Sequence, residues 1–439
     1  MFFVLTDSVL TRLCSRTVAT TTIVKLLPSR VLPSTRSRNF VLSRLTHDIV
    51  SIRRIAKPLQ FAAATTAIQM AELATASVAP GHDIVVEEAE VKRYMIACLT
   101  AAGAVEGQAA QMADLLIAAD ARGHYSHGLN RLDMYVNDLE KGICEKDGRP
   151  KILSERASTA WVDGCNALGA VVGNFCMDLA MRKAKETGVG WVAAKGSNHY
   201  GIAGFYSMQA LKQNLIGMSF TNTSPIMVPT RAKKPAVGTN PISVAANGCH
   251  GDSYVLDMAT TGVAIGKVEL RQRKGEQLPR GWAVNADGVE ETDPSKVTVG
   301  RGGLYPLGGD EITGGYKGYG LGMLVELFCG IMAGAAWGPH VRRWMATDRV
   351  ADLGQCFVAI DPTAFAPGFE DRLQEFMNTL RDRERAEGVE QDVLVPGDPE
   401  RAHLELVAQL GGIPYHPNQV SHAKELADKL GVPTLQPKK

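Results

Sequence analysis

No run of about 18 uninterrupted apolar residues occurs in the 439-residue chain, so no membrane-spanning helix is expected. The nearest candidate, residues 321–337, is interrupted by Glu326 and rich in Gly and Ala, which suits a buried core helix. Charge imbalance is also missing. A formal net charge of +1 provides no broad field for nucleic acid or an anionic membrane. The eight cysteines form no C-x-x-C pair and no zinc-ligand spacing, so they read as reduced, buried residues in a reducing compartment. His124 and His127 lie three apart, but no carboxylate or cysteine of matching spacing completes a metal site. No G-x-G-x-x-G occurs, which removes the usual Rossmann fingerprint. No G-x-S-x-G occurs, which weakens a serine-hydrolase reading of Ser126, His127 and Asp257.

The start of the chain pairs few acids with many bases. The first 70 residues carry Arg12, Arg16, Lys25, Arg30, Arg36, Arg38, Arg44, Arg53, Arg54 and Lys57 against Asp7 and Asp48. An Arg- and Ser-rich, acid-poor start resembles a mitochondrial transit peptide. Met70 offers an alternative start for a cytoplasmic form, and residues 71–83 read as a linker. The rest, 45% apolar and 21% charged over the whole chain, is ordinary globular sequence of a length that suits two or three domains.

The 44 glycines punctuate a mixed pattern of helices and strands. Apolar spacing predicts helices over 87–101, 105–121 (stopped at Gly123), 169–187, 204–214, 319–335, 368–387 and 417–430. Another should begin near Ser126 as its cap and present His127, Arg131, Tyr135 and Leu139 on one face. Short strands are expected over 157–162 and 188–195, and several more between 215 and 262.

Four segments offer chemistry. In G-H-Y-S-H-G-L-N-R (123–131), His127 titrates near neutrality and can move the proton that accompanies hydride transfer. Arg131, four residues on, suits a bidentate grip on a carboxylate. The same pattern also fits a capped helix start with a surface arginine. K-G-S-N-H-Y-G (195–201) sets His199 in a polar turn after a strand, where either a catalytic or a plain surface histidine fits. T-N-T-S-P (221–225), G-T-N-P (238–241) and L-D-M-A-T-T (256–261) follow apolar runs. They offer Thr223, Ser224, Thr239, Asn240, Met258 and Ala259 as lining for a ribose, pyrophosphate or carboxamide, or simply cap strands. Asp257 needs a partner there to stay charged, and orienting a histidine would supply one. G-G-Y-K-G-Y-G (314–320) puts Lys317 and Gly318 at a helix start, an arrangement suited to phosphate.

In this order, DARGHYSHGLNRL, GSNHYGIAGFYSMQAL, VGTNPISVAANG, VLDMATTGVAIGKVE, GWAVNADG, GGYKGYGLGMLVELFCG and VLVPGDPE resemble the malate/L-lactate dehydrogenase family from about residue 84 to 433. That family also includes sulfolactate and ureidoglycolate dehydrogenases and cyclic-imine reductases. The resemblance implies an α/β fold. Its non-Rossmann nicotinamide-binding domain (201–395) would have a mixed or antiparallel sheet flanked by helices. A smaller helical-and-sheet substrate and dimerisation domain would span 84–200 with 396–433. It implies NAD or NADP as cofactor, a small 2-hydroxy or 2-oxo acid as substrate, and a homodimer. His127 and His199 would flank the reacting carbon, Ser126 and Asp257 would orient or relay, and Arg131 would anchor the carboxylate. The dinucleotide would lie along Thr223, Ser224, Asp257, Met258, Ala259 and the Lys317–Gly318 loop. A cyclic imine carboxylate needs the same clamp and hydride, and an inactive dinucleotide binder is the reading outside enzymes. The sequence departs from the family in its basic leader and in Thr230-Arg231-Ala232, which replaces a glycine-containing turn.

Overall fold

The computed structural model describes residues 77–438. The basic leader and residues 71–76 of the linker lie outside the described residues. Seven of the cysteines are described, and all seven are free thiols.

The chain opens with β1 (Ile84–Val86), α1 (Glu88–Ala101) and α2 (Glu106–Asp120), then two short 3-10 turns and α3 (Leu132–Glu140). β2 (Lys151–Glu155), β3 (Thr159–Asp163), α4 (Gly169–Thr187), β4 (Val189–Ser197) and α5 (Gly204–Leu211) follow. Next come β5 (Ile216–Thr221), β6 (Ile242–Asn247), β7 (Ser253–Met258) and α6 (Ile265–Lys274). The glycine-rich stretch holds β8 (Ala283–Val284), α7 (Pro294–Thr298) and β9 (Gly303–Leu304), and leads into α8 (Gly315–Glu326). The chain ends with β10 (Leu353–Ile360), α9 (Phe369–Arg381), α10 (Asp398–Leu410), β11 (Ile413–Tyr415) and α11 (Pro417–Leu430).

Seven strands form one sheet in the order β2-β3-β4-β10-β5-β6-β7. Only β3 and β4 run parallel, so the sheet is mixed. Alternation along β10 distributes its side chains between two cores. Phe357 and Ala359 join the large core with Met177, Tyr206 and the helical face of α4 and α5. Cys356 and Val358 face the other way, against Val325 and Cys329 of the α8 region. Helices therefore cover both faces, as expected. The sheet takes strands from both sides of residue 200, and the described residues fall in one compact unit. The domain division expected at residue 200 therefore runs through a continuous sheet.

Two packing details matter for the site. The start of α4 presses so closely on the loop after β4 that a Cβ on Gly169 would lie 2.2 Å from the His199 carbonyl oxygen. Only glycine permits that approach. The same loop is held from the sheet centre, where the Gln355 amide donates to Asn198 O (3.0 Å) and accepts from Ser197 Oγ (2.9 Å). At Thr230-Arg231-Ala232, Arg231 takes φ +70°, a backbone region that favours glycine, and its guanidinium pairs with Glu311.

Candidate active site

The segment 123–131 does not start a helix at Ser126. It forms 3-10 turns at Tyr125–His127 and Leu129–Arg131 before α3 begins at Leu132. The cause is Asp120, the last residue of α2, which is fully buried beneath the turn. Its Oδ2 accepts from the Leu129 N–H (2.8 Å) and from the Tyr415 hydroxyl (2.7 Å). A Cβ on Gly128 would lie 1.9 Å from Asp120 Oδ1, so the glycine lets the backbone lie on the carboxyl. Burial raises the Asp120 carboxyl to about 7. This anchor replaces the expected Ser126 cap and frees the Ser126 hydroxyl for another task.

That task is His127. Ser126 Oγ sits 2.9 Å from His127 Nδ1. The His127 ring faces the His199 ring nearly parallel, with centroids 5.9 Å apart and planes at 19°. His199 Nδ1 lies 2.6 Å from the Tyr135 hydroxyl and receives the Gly201 N–H at 3.3 Å. A backbone N–H can only donate, so this pair of contacts puts the ring hydrogen of neutral His199 on Nε2. Burial, then the charges of Arg131 and His124, pulls His127 down to about 4. Burial, then His127, Arg131 and Arg342, holds His199 well below its ordinary range. Both rings are therefore neutral at pH 7.

Arg131 completes the group. Its Nε donates to Ser126 O (2.7 Å), and its guanidinium lies 5.3 Å from the Trp344 ring centre. Among the described residues no carboxylate forms an ion pair with it. Trp344 also stands 5.5 Å from the His199 ring, so the indole borders both the arginine and the imidazole. The segment carrying Trp344 is tied down nearby. Arg342 makes a buried ion pair with Asp138 of α3 (3.0 Å), and its carbonyl accepts from Ser224 Oγ (2.7 Å).

The expected cofactor loops are linked in series. Leu307 N–H donates to Thr260 O (2.9 Å), Thr260 N–H to Thr239 O (2.8 Å), and Thr239 N–H to Thr223 Oγ1 (2.9 Å). Thr223 N–H donates in turn to Asn240 Oδ1 (3.0 Å). Gly318 belongs to this assembly because a Cβ there would lie 2.3 Å from Leu307 O. Thr223, Ser224, Thr239, Met258 and Ala259 remain partly exposed along the series. The donor chemistry fits a pyrophosphate at the start of α8. No acid sits in its first turn, and Lys317 lies 5.9 Å from the Tyr316 ring with no ion-pair partner among the described residues.

Two expected roles change. Asp257 does not orient a histidine: its Oδ2 accepts from the Gly204 N–H at 2.6 Å, and it bonds to neither His127 nor His199. The start of α5 supplies the partner that a desolvated carboxylate requires, and burial still raises the group to about 6. Asn240 is fully buried, so it supports the Thr223 loop from behind and lines no surface. Tyr135 was legible as a face-mate of Arg131, but its contact with His199 was not. Trp344, Arg342 and Asp120 gave no sequence signal, since each acts through a partner distant in the chain.

The family model described as malate/L-lactate dehydrogenase matches residues 86–423. A malate dehydrogenase of Pyrococcus abyssi is 38% identical over 350 residues, covering 79% of this chain and 95% of that protein. The solved malate dehydrogenase of Pyrococcus horikoshii superposes with TM-score 0.75 at 34% identity, covering 82% of this chain and 99% of that one. The delta1-piperideine-2-carboxylate reductase of Pseudomonas syringae pvar. tomato superposes with TM-score 0.70 at 26% identity, over 78% and 99%.

Proposed function

This chain belongs to the malate/L-lactate dehydrogenase family, and on that footing we propose that it moves a hydride between NAD(P) and C2 of a small 2-hydroxy or 2-oxo acid at the Ser126–His127–Arg131–His199 site. One observation carries the reading: Arg131, with no carboxylate partner among the described residues, stands beside two facing imidazoles whose protonation burial disfavours.

Arg131 grips the substrate carboxylate through its terminal nitrogens, since its Nε is engaged by Ser126 O. The C2 oxygen then lies toward the imidazole pair. Nε2–H of His199 polarises it, and the pair gives a proton to it in reduction or takes one in oxidation. The Ser126 and Tyr135 hydroxyls can donate or accept, so each keeps its histidine Nδ1 partnered in either charge state. Trp344 walls the site beside His199 and excludes water. Thr223, Ser224, Thr239, Met258, Ala259 and Lys317 would hold NAD(P), which would supply or remove the hydride when bound. Asp257 braces the start of α5 close behind the His199 loop.

A cyclic imine conjugated to a carboxylate is the second reading, favoured by the likeness to the piperideine-carboxylate reductase and by the same arginine clamp. Turnover of oxaloacetate, pyruvate and a cyclic imine carboxylate, each with NADH and NADPH, separates the two. Oxidation of neither cofactor with any of the three removes both.

The chain pairs with a second copy through the α8 region. Tyr316, Met323, Leu324, Leu327 and Ile331 recur at helical spacing and are all exposed, four of them by more than half. A continuous apolar stripe of this kind supports association. Light scattering after gel filtration should give twice the chain mass, and Leu327→Glu with Ile331→Glu should halve it. A monomeric wild-type protein at micromolar concentration contradicts this.

A further inference from the structure

We infer that Glu326, buried at the end of α8, is a positioning residue that fixes the Thr223–Ser224 loop for the dinucleotide, and that it does so only as a carboxylate. The inference rests on the assignment of that loop to the cofactor.

Glu326 is the residue that interrupts the long apolar run, and the proton chemistry makes no use of it. Its side chain is 8% exposed. Among the described residues no lysine, arginine or histidine forms an ion pair with it. Instead Oε2 accepts from Asn222 Nδ2 (3.0 Å) and Oε1 accepts from Asn240 Nδ2 (3.1 Å). Both asparagines are fully buried.

Neither asparagine can be turned over. Asn222 Oδ1 accepts from the Gly354 N–H (2.9 Å), while its Nδ2 also donates to Ala336 O (2.8 Å). Asn240 Oδ1 accepts from the Thr223 N–H (3.0 Å), while its Nδ2 also donates to Gly322 O (3.0 Å). Flipping either amide would set its oxygen against carbonyl oxygens and its NH2 against a backbone N–H. The polarity of the network is therefore dictated by backbone on every side, and the group between the asparagines must accept twice. A carboxylate does this. A glutamine cannot: one amide oxygen serves one asparagine, and its NH2 then meets the other asparagine's NH2. Space forbids an escape, because a Cβ on Gly330 would already lie 2.9 Å from both Glu326 Oε2 and Asn222 Nδ2.

The asparagines are consecutive links to the site. Asn222 precedes Thr223 in the chain, and Asn240 holds the Thr223 N–H directly. Thr223 Oγ1 in turn receives the Thr239 N–H. Donor–donor conflict in Glu326→Gln is relieved most easily by moving the 222–224 loop, since Gly354 and Ala336 sit at the sheet centre and its flank.

The test is cofactor binding, read by the fluorescence of NADH or NADPH with wild type and Glu326→Gln, followed by steady-state kinetics. The expected result is a rise of at least about tenfold in the cofactor Kd and KM, with kcat at saturating cofactor and the KM for the 2-oxo acid nearly unchanged. A purely structural role would lower the active fraction and leave both KM values alone. Wild type that binds neither cofactor removes the assignment of the loop. Wild type that binds, with Glu326→Gln binding equally well, overturns the inference. If Glu326→Gln does not fold, Glu326→Asp carries the test: it keeps both acceptor oxygens but withdraws them by one methylene. It should then show the same cofactor-specific shift in smaller degree, and an unchanged cofactor KM there also overturns the inference.

Discussion

Between about pH 5.5 and 8.5, kcat/KM for reduction of the 2-oxo acid should fall about tenfold per pH unit, while kcat/KM for oxidation of the 2-hydroxy acid stays level. The sign follows from the site. The kcat/KM profile reports groups of the free enzyme. There, burial with Arg131 and His124 places His127 at about 4, and His199 is also well below its ordinary range. Oxidation needs a neutral imidazole to take the proton, so its rate climbs through about pH 4 and is level above it. Reduction needs a protonated imidazole, and that fraction shrinks steadily above the same point. One proton is consumed per reduction, so the ratio of the two constants must change about tenfold per unit whatever the mechanism. The lowered imidazole pair assigns the whole change to reduction. A level reduction profile with a rising oxidation profile would mean that the proton carrier titrates above the assayed range, against the lowered positions of both imidazoles.

Replacing Arg131 by methionine should lower kcat/KM for the 2-oxo acid by about 10²-fold or more, chiefly through KM. Removing one partner of a desolvated, hydrogen-bonded charge pair costs about 2–5 kcal/mol. Methionine keeps much of the volume beside Trp344 and removes only the charge and donors. The cofactor KM should not move, because Arg131 makes no bond to the Thr223–Thr239 assembly. A second effect comes with it. The Arg131 charge is one of the causes that depress both His127 and His199, so the variant's oxidation profile should break at a higher pH than the wild type's. An unchanged KM with an unchanged break would place the substrate carboxylate elsewhere.

Local rules carried much of the fold. The helix expected over 169–187 forms over the same residues, where Gly188 at φ +85° ends it. The strands of 215–262 and the last helix also lie where glycine, proline and asparagine delimit them. β10, the central strand, was not assigned, because Leu353–Ile360 is buried on both faces and shows no alternation. α6 and α10 were also unassigned, and α6 has little apolar stripe to reveal it.

At the site, short motifs suggested Ser126, His127, Arg131 and His199 as neighbours, and the fold brings these four side chains together. Their supports are tertiary and were not legible. Tyr415 reaches Asp120 across nearly the whole described chain, and Trp344 arrives from a loop with no pattern of its own. The helix expected from Ser126 failed for the same reason: Asp120 bonds to the turn and overrides the local spacing. Asp257 was expected to need a partner, which it has, but the partner is a backbone N–H and not a histidine.

The paired imidazoles are the centre of the account, and kcat/KM of His127→Ala and His199→Ala with the best 2-oxo acid tests them most directly. The predicted result is a loss of about 10²–10⁴-fold in at least one of the two, with folding and cofactor affinity kept. Near-normal kcat/KM in both variants would contradict it.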